Sequence, residues 1–479
     1  MYERYRVWYW LIAAILLGRV LTMAAFPLVE TTEPRYAEIA RLMLASGDWI
    51  TPWFEPGTPF WGKPPLSFWA QALSMSWFGV HELAARLPSW FAMVLTVGLM
   101  ARFATLTWGR AEGVLSALAL VSMGLGFVSA GAVMTDPFLL LGATLSLLSF
   151  AEVMLGGTSR SARWFVFLGL VIGLLAKGPL VLVLVGMPIV VWTLSERNWH
   201  GLWRSFPWFW GIMLTLVLTV PWYVAAELKT PGFIDYFIVG EHFRRFLDPG
   251  WQGDLYGSAH QQPHGMIWVF WLWATFPWGV LMLVSLAWPE TRRRAWSMFR
   301  SDTVVRFLCW AALAPLVFFT LSGNTLWTYV LPALPFFALL FARMVFVGMN
   351  GVGAKTRRNL TIVAVIVPLL ITAGGLYVAI DEGSLNTEKP LVAQYQSSRG
   401  SARVPLFYLD EVPFSARFYL RGAVAVTDPD RLARQGERYF VAARKRRIPD
   451  ITGAVDGRVE VRYQGKRHTL LEVHPGPVE

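Results

Sequence analysis

A single cysteine, Cys309, and seven histidines stand in 479 residues. One thiol excludes a disulfide framework and a cysteine metal site, and this one falls inside an apolar run. Charge is scarce as well: 15% of residues are charged and 55% hydrophobic, where a soluble domain carries roughly a quarter charged residues. No GxxxxGK[ST] loop, no GxGxxG after a strand and no HExxH is present, so soluble nucleotide and zinc-protease chemistry have no footing.

What the chain does hold is apolar and aromatic, with 25 Trp and 32 Phe, and the class is a polytopic membrane protein. Spans of roughly 20 apolar residues are predicted at Trp8–Phe26, Leu83–Thr107, Val114–Ala130, Phe138–Leu155, Trp164–Ala176, Leu180–Leu194, Trp208–Ala226, Met266–Trp288, Val304–Leu321, Tyr329–Val347 and Leu360–Ile380. The first run has basic flanks but no small-residue cleavage site after it, and is read as retained.

Every second loop is basic: Arg4 and Arg6, Arg102 and Arg110, Arg160 and Arg163, Arg197 and Arg204, Arg292 to Arg294, and Lys355 to Arg358. These loops belong on the cytoplasmic side. The net charge of +11 is therefore a topology signal, spread too thinly for nucleic acid. The opposite, external set comprises residues 27–82, the turns at Gly131–Asp136 and Lys177, the loop 227–264, the Ser322–Thr328 turn and the tail 381–479. Strand-like pieces at Val404–Leu409, Arg438–Ala443 and Val459–Tyr463, punctuated by Gly, Pro and Asp, predict a small α/β domain in that tail, periplasmic and distinct from the membrane domain 1–380.

The external segments carry the unusual chemistry. Val29–Trp69 contains Glu30, Glu33, Glu38, Asp48 and Glu55 beside Arg35, Arg41 and Lys63. Pro34 suits a first helical turn, Tyr36, Ile39, Ala40 and Met43 recur at helical spacing, and Gly47 ends the helix. Glu33 and Arg35 thus fall at a helix start, as an interfacial helix with solvated charges would also place them. Asp136, in MTDPFLL, reads either as an N-cap or as a substrate-binding acid. Lys63 in GKPPL and Lys177 in AKGPL either snorkel to headgroups or, with Arg35, hold phosphate. PGFIDYFIVGEHFRRF gathers Glu241, His242, Arg244 and Arg245 at the end of an amphipathic segment. Glu241 and His242 are adjacent and point apart, a weak metal pair, and Pro263 argues against a helix presenting His260 and His264 together.

TEPRYAEIARLMLASGDW, FWGKPPLSFW, FGVHELAARLPS, the TDP around Asp136, AKGP, PGFIDYFIVGEHFRRF, TYVLPALP and PFSARFYLRG, in that order, resemble the aminoarabinose transferases that modify lipid A. These are membrane glycosyltransferases of the GT-C fold, related to the protein O-mannosyltransferases. The resemblance implies about 11–13 transmembrane helices, periplasmic juxtamembrane helices and a small periplasmic C-terminal domain. It implies a sugar on undecaprenyl phosphate as donor, lipid A or another periplasmic glycolipid as acceptor, membrane lipids as surroundings, no nucleic acid, and an active site facing the periplasm from the inner membrane. Glu33, then Glu30, are expected as the first-loop catalytic acid and Asp136 as the second. Arg35, Lys63, Arg244 and Arg245 are expected on the donor phosphate, with Tyr36, Lys177, Glu241, His242 and Tyr329 on other parts of the substrates. Two positions depart from the family: Thr32 stands where an Asp usually precedes Glu33, and Gly62 where some relatives have Glu before the lysine. No cofactor is expected to be required, and Gly62 weakens a divalent metal site. Two rivals remain: a transferase of the same fold acting on a hydroxyl of protein or polysaccharide, and a transporter of lipid-linked sugar, which would place its polar residues at the bilayer midplane.

The basic loops generate a topology prediction. Reporter fusions after Gly157 and Glu290 should read as cytoplasmic, and fusions after Gly253 and Gly383 as periplasmic. A cytoplasmic signal from the tail overturns the orientation.

Overall fold

The structure, a computed structural model, describes residues 2–157, 159–348, 352–380 and 382–476. The expected domain boundary at residue 381 lies outside the described residues. The chain opens with α1 (Tyr2–Ala25), α2 (Thr32–Ser46), the hairpin β1 (Trp53–Glu55) and β2 (Thr58–Pro59), α3 (Leu66–Phe78) and α4 (Glu82–Thr107). It continues with α5 (Arg110–Ser122), α6 (Gly124–Ser129), α7 (Asp136–Met154), α8 (Ala162–Lys177), α9 (Leu180–Glu196), α10 (Trp199–Ser205) and α11 (Trp208–Lys229). A π-helical segment, Asp235–Arg244, runs into α12 (Arg245–Leu247). Then come α13 (Met266–Thr275), α14 (Trp278–Leu286), α15 (Pro289–Ser301), α16 (Thr303–Thr320), a 3-10 turn at Trp327–Ala333, α17 (Leu334–Gly348) and α18 (Ala354–Ile380).

Among the described residues seven helices are long and apolar enough to cross a membrane, and eight if one bent pair counts as a span. The protein is a multi-pass membrane protein. Two expected spans are broken. Met266–Trp288 is not one rod: α13 and α14 meet at 109°. Pro277 has no N–H to carry the helix through. The Phe276 carbonyl accepts instead from the Gly124 N–H at 2.9 Å, and Trp278 Nε1 donates to Ser122 Oγ at 2.9 Å, so the break is sealed inside protein. Val114–Ala130 divides at Met123, whose ψ of 145° is extended, into α5 and α6.

The helix expected after Pro34 is α2. Gly47, at φ 69°, closes it by donating its N–H to Met43 O at 3.1 Å. The face carrying Tyr36, Ile39, Ala40 and Met43 packs on Phe68, Ala72 and Met75 of α3. A platform of short helices thus lies across one end of the bundle. Loops far apart in sequence meet there: Trp222 Nε1 donates to Ile50 O at 3.0 Å and Lys229 pairs with Asp48 at 2.7 Å.

Residues 406–475 contribute a five-stranded sheet of β3 (Leu406–Leu409), β4 (Ala425–Thr427), β5 (Tyr439–Ala443), β6 (Gly457–Gln464) and β7 (Thr469–Pro475), in the order β4-β3-β5-β7-β6. β3 is parallel to both its neighbours, while β7 is antiparallel to β5 and β6. This unit docks on the platform. Its Ser415 N–H donates to Glu30 at 2.6 Å, its Tyr419 hydroxyl accepts from Leu28 N at 2.8 Å, and its Arg417 pairs with Glu55 at 2.9 Å, while Lys389, on the helix Lys389–Arg399 ahead of the sheet, pairs with Glu82 at 2.8 Å.

The antiparallel pair α7 and α8 sets the two polar helix ends side by side. Their backbones touch: a Cβ on Gly169 would lie 2.4 Å from Gly142 O and 2.3 Å from Ser146 Oγ. Gly169→Leu should therefore lower the thermal midpoint of the detergent-purified protein, because overpacking a tight contact costs about 1–3 kcal/mol. An unchanged midpoint would mean that this contact does not hold the pair together.

Candidate active site

Beneath the platform lies a polar chamber of about 930 Å³. Its floor and walls come from the start of α2, the Pro59–Lys63 turn, the entry to α7, the end of α8, and the loop that follows the π-helical segment. Beside it runs an apolar groove of about 390 Å³, lined by Leu180, Val183, Phe243, Phe246, Phe318 and Phe319 among others. Chamber and groove share five wall residues: Lys63, Lys177, Glu241, Arg245 and Tyr329.

Glu241 organises the junction. The π-helical backbone turns its side chain toward the Lys63 turn and that of His242 away. Lys63 Nζ donates to Glu241 Oε2 at 3.0 Å and to Gly62 O at 2.5 Å, while the Arg245 guanidinium donates to Glu241 Oε1 at 2.8 Å and reaches Asp254 at 3.2 Å. Burial pushes the Glu241 carboxyl up, but Lys63 and Arg245 outweigh it and hold the group down, from 4.5 to about 2. The same contest leaves Lys63 above its ordinary range, with burial opposed by Glu241. The junction holds two cations against one carboxylate shared between them, before Asp254 is counted.

At the neighbouring wall Lys177 donates to Asp136 at 2.5 Å and sits 4.9 Å from the centre of the Tyr329 ring. Asp136 is the first residue of α7, and no side-chain hydrogen bond from Thr135 caps the helix. Its carboxylate is thus spent on Lys177, not on an N-cap. Both His242 ring nitrogens face carbonyls, Phe237 O at 2.7 Å and Lys177 O at 3.1 Å. Burial lowers its pKa while the two carbonyls oppose that shift, and the ring braces the Lys177 turn.

Glu33 lines the chamber but is engaged. Arg86 binds it through Nε at 3.1 Å and Nη2 at 2.7 Å, and the Val133 N–H adds a third bond at 2.9 Å. Arg86 also donates to the Met23, Phe26 and Pro27 carbonyls, so all five of its N–H groups are used. Arg35 differs. It donates to Tyr256 O at 2.5 Å and lies 5.3 Å from the Tyr36 ring centre, yet its Nε is buried without a partner, and no carboxylate pairs with it among the described residues.

Two expected residues fall elsewhere. Glu30 does not line the chamber: its carboxylate accepts from Ser415 N of the sheet unit, and burial raises its pKa. The turn at Thr31 rotates it to the opposite side from Glu33. Arg244 is exposed and lines neither cavity, since the neighbouring Arg245 takes the inward position on the helix. His264 contacts Thr320 O at 3.2 Å, apart from His260, which faces the chamber. Among the described residues no three His, Cys, Asp or Glu side chains gather as metal ligands would.

Three charged chamber residues escaped the sequence reading: Arg86, Asp254 and Arg19. Arg86 sits in FGVHELAARLPS, where its helical register reads as one cation in an apolar span. A basic residue inside a membrane helix was the available signal for both arginines.

Comparison with known proteins fits this geometry. Residues 9–237 match the dolichyl-phosphate-mannose-protein mannosyltransferase family. The undecaprenyl phosphate-α-4-amino-4-deoxy-L-arabinose arabinosyl transferase of Pseudomonas savastanoi pv. phaseolicola is 31% identical over 364 residues, 75% of this chain and 65% of that one. The protein of the same name from Pseudomonas aeruginosa is 32% identical over 350 residues, 71% of this chain and 59% of that one. The chain thus spans somewhat less than two thirds of these relatives. Among solved structures, ArnT from Cupriavidus metallidurans bound to undecaprenyl phosphate superposes with a TM-score of 0.79 at 20% identity, covering 97% of this chain and 98% of that one. The chain thus has the fold of ArnT and is similar in sequence to the aminoarabinose transferases and, over residues 9–237, to the dolichyl-phosphate-mannose-protein mannosyltransferases.

Proposed function

We propose that this chain is a glycosyltransferase that moves aminoarabinose, or a related sugar, from undecaprenyl phosphate to a phosphate of lipid A at the periplasmic face of the bacterial inner membrane. The observation that carries the reading is the junction itself. An apolar groove and a polar chamber meet at Lys63, Lys177 and Arg245, which is the shape required by a molecule with a hydrocarbon tail, a phosphate and a sugar in that order. The relatives' name supplies the donor and the sugar.

In this reading the polyprenyl chain lies along Phe243, Phe246, Phe318 and Phe319, and Lys63, Arg245 and Arg35 meet the donor phosphate. An oxygen of the acceptor phosphate attacks the anomeric carbon. The bond from that carbon to the donor phosphate oxygen breaks, its electron pair stays on the phosphate, and undecaprenyl phosphate leaves with one more negative charge. Fixed cations aimed at that charge supply the catalytic term, and no cofactor is required. No proton moves, which suits a chamber whose carboxylates Glu33, Asp136, Glu241 and Asp254 are each paired with a cation. They orient cations and sugar; none is placed as a base. The reading keeps the sheet unit as a periplasmic domain, with residues 1–380 as the membrane domain.

With purified donor and lipid A, Lys63→Ala and Arg35→Ala should each lower transfer by roughly 10²–10³-fold in protein that still inserts and purifies. Glu30→Gln should leave transfer unchanged. Full activity in Lys63→Ala would remove that lysine from the donor phosphate.

His260 separates the acceptor chemistries. Burial lowers its pKa, and its imidazole lines the chamber where it can take a proton from a hydroxyl. A phosphate acceptor needs no base, and His260→Ala should keep most activity. A hydroxyl acceptor would lose roughly 10²–10⁴-fold, and that result moves the assignment to protein or polysaccharide. The Glu241 pairing has a pH signature of its own. A carboxyl depressed from 4.5 to about 2 contributes stability that is complete above pH 4.5 and disappears as pH falls toward 2. Glu241→Gln should therefore flatten the acid side of the stability profile between those values, measured as thermal midpoint against pH.

A further inference from the structure

The chamber has a second cationic end that the donor does not use. Arg19 lies near the close of α1 and lines the chamber with Thr22, Phe127, Val128 and Gly131. Its guanidinium donates to Thr22 Oγ1 at 3.0 Å and to Val128 O at 3.1 Å, and it lies 5.1 Å from the Phe127 ring centre. Its Nε is buried with no partner, and among the described residues no carboxylate pairs with it. Arg86 makes the contrast: its five donors are all satisfied, so it is a structural staple. Arg19 holds its charge near the membrane with donors to spare. Such a residue is costly unless something anionic completes it.

The surrounding backbone is built around the guanidinium. A Cβ on Gly131 would lie 2.3 Å from Arg19 Nε and 2.5 Å from Cζ, so a side chain there would push the guanidinium out of this position. The wall beyond Arg19 is made by Ile371, Thr372 and Gly375 of α18, residues at one-turn spacing on one face. α1 and α18 are the least buried of the spanning helices, 22% and 17%. Leu17, Leu21, Leu369 and Leu370 are all more than 60% exposed beside them. This end of the chamber therefore stands at the margin of the bundle, where lipid reaches it. The donor groove, walled by α9 and α16 residues, opens elsewhere.

We infer that Arg19 is the acceptor's anion subsite: it receives the phosphate monoester of a lipid headgroup that enters between α1 and α18, and so selects phosphorylated over neutral acceptors. Arginine suits this task because its planar fork can take two phosphate oxygens at once. Thr372 stands in the same wall with a hydroxyl of its own. The inference rests on the transferase reading above and adds the residue that recognises the acceptor.

The test uses full-length protein in lipid nanodiscs and has a binding arm and a kinetic arm. In the first, thermal midpoints are read with bis-phosphorylated lipid A, dephosphorylated lipid A, inorganic phosphate or undecaprenyl phosphate added. The wild type should be stabilised by phosphorylated lipid A and not by its dephosphorylated form. Arg19→Gln and Gly131→Val should lose that response and keep the response to undecaprenyl phosphate, which also certifies their fold. Stabilisation of the wild type by inorganic phosphate, lost in Arg19→Gln, would support the same subsite with the phosphate group as the recognised chemistry. In the kinetic arm, Arg19→Gln should raise the acceptor KM by roughly 10–100-fold, the value of a lost charged hydrogen-bond pair, with the donor KM unchanged and partial rescue by Arg19→Lys. An unaltered response to phosphorylated lipid A in Arg19→Gln, or loss of both lipid responses, would overturn the assignment. If the wild type transfers no sugar, the transferase reading fails while the binding arm still decides whether Arg19 holds the anion.

Discussion

One buried carboxylate, shared between two cations, holds this site together. Glu241 sits between Lys63 and Arg245 at 3.0 and 2.8 Å, and these belong to segments almost two hundred residues apart in the chain. Removing an ammonium and a guanidinium from water is expensive, and the carboxylate offsets that cost only if its geometry satisfies both. With Glu241 in place, both cations can stand at the mouth of an apolar groove. The π-helical turn that carries it sends His242 to the other side, where it braces the end of α8, so one irregular segment positions two walls.

Ion pairing sorts the remaining residues by task. Glu33 is consumed by Arg86, which ties the end of α1, the start of α2 and the Val133 turn into one unit. Asp136 neutralises Lys177 beneath Tyr329. Glu30 is consumed in docking the sheet unit. Among the described residues Arg35 and Arg19 are left without carboxylates, one beside the Glu241 junction and one at the opposite end. A chamber with anion-seeking groups at both ends suits two phosphate-bearing substrates meeting over a sugar.

Much of the fold was legible because its cause is local. Long apolar runs become helices in any membrane, and all eleven expected segments correspond to helical structure, including the two that are broken. The breaks were less legible. Pro277 announces one, but whether a proline kinks a span or folds it back by 109° depends on what receives the freed carbonyl, here the Gly124 N–H of another helix. In the tail the apolar strands near 404, 438 and 459 were visible. The edge strand Ala425–Thr427 was not, since three residues carry too little periodicity to read.

The site divides in the same way. From residue type and position alone, the sequence determined that a charged, aromatic stretch lies between apolar runs at the start of a helix, and that Arg35, Lys63, Asp136, Lys177, Glu241 and Arg245 belong to span ends and loops of one set. Charge is expelled from hydrocarbon, and a basic loop on one side places the next loop on the other. Only the tertiary structure decided which acids are free and which are spent. Glu30 and Glu33 are three residues apart and look alike in sequence, yet one docks a domain and the other closes on Arg86. Arg244 and Arg245 are neighbours, and helical rotation sends one to the surface and the other to the junction. Pairing distance is set by how α7, α8 and the platform pack, a property of Gly142 touching Gly169 and of loops meeting across the bundle, which no span-by-span reading contains.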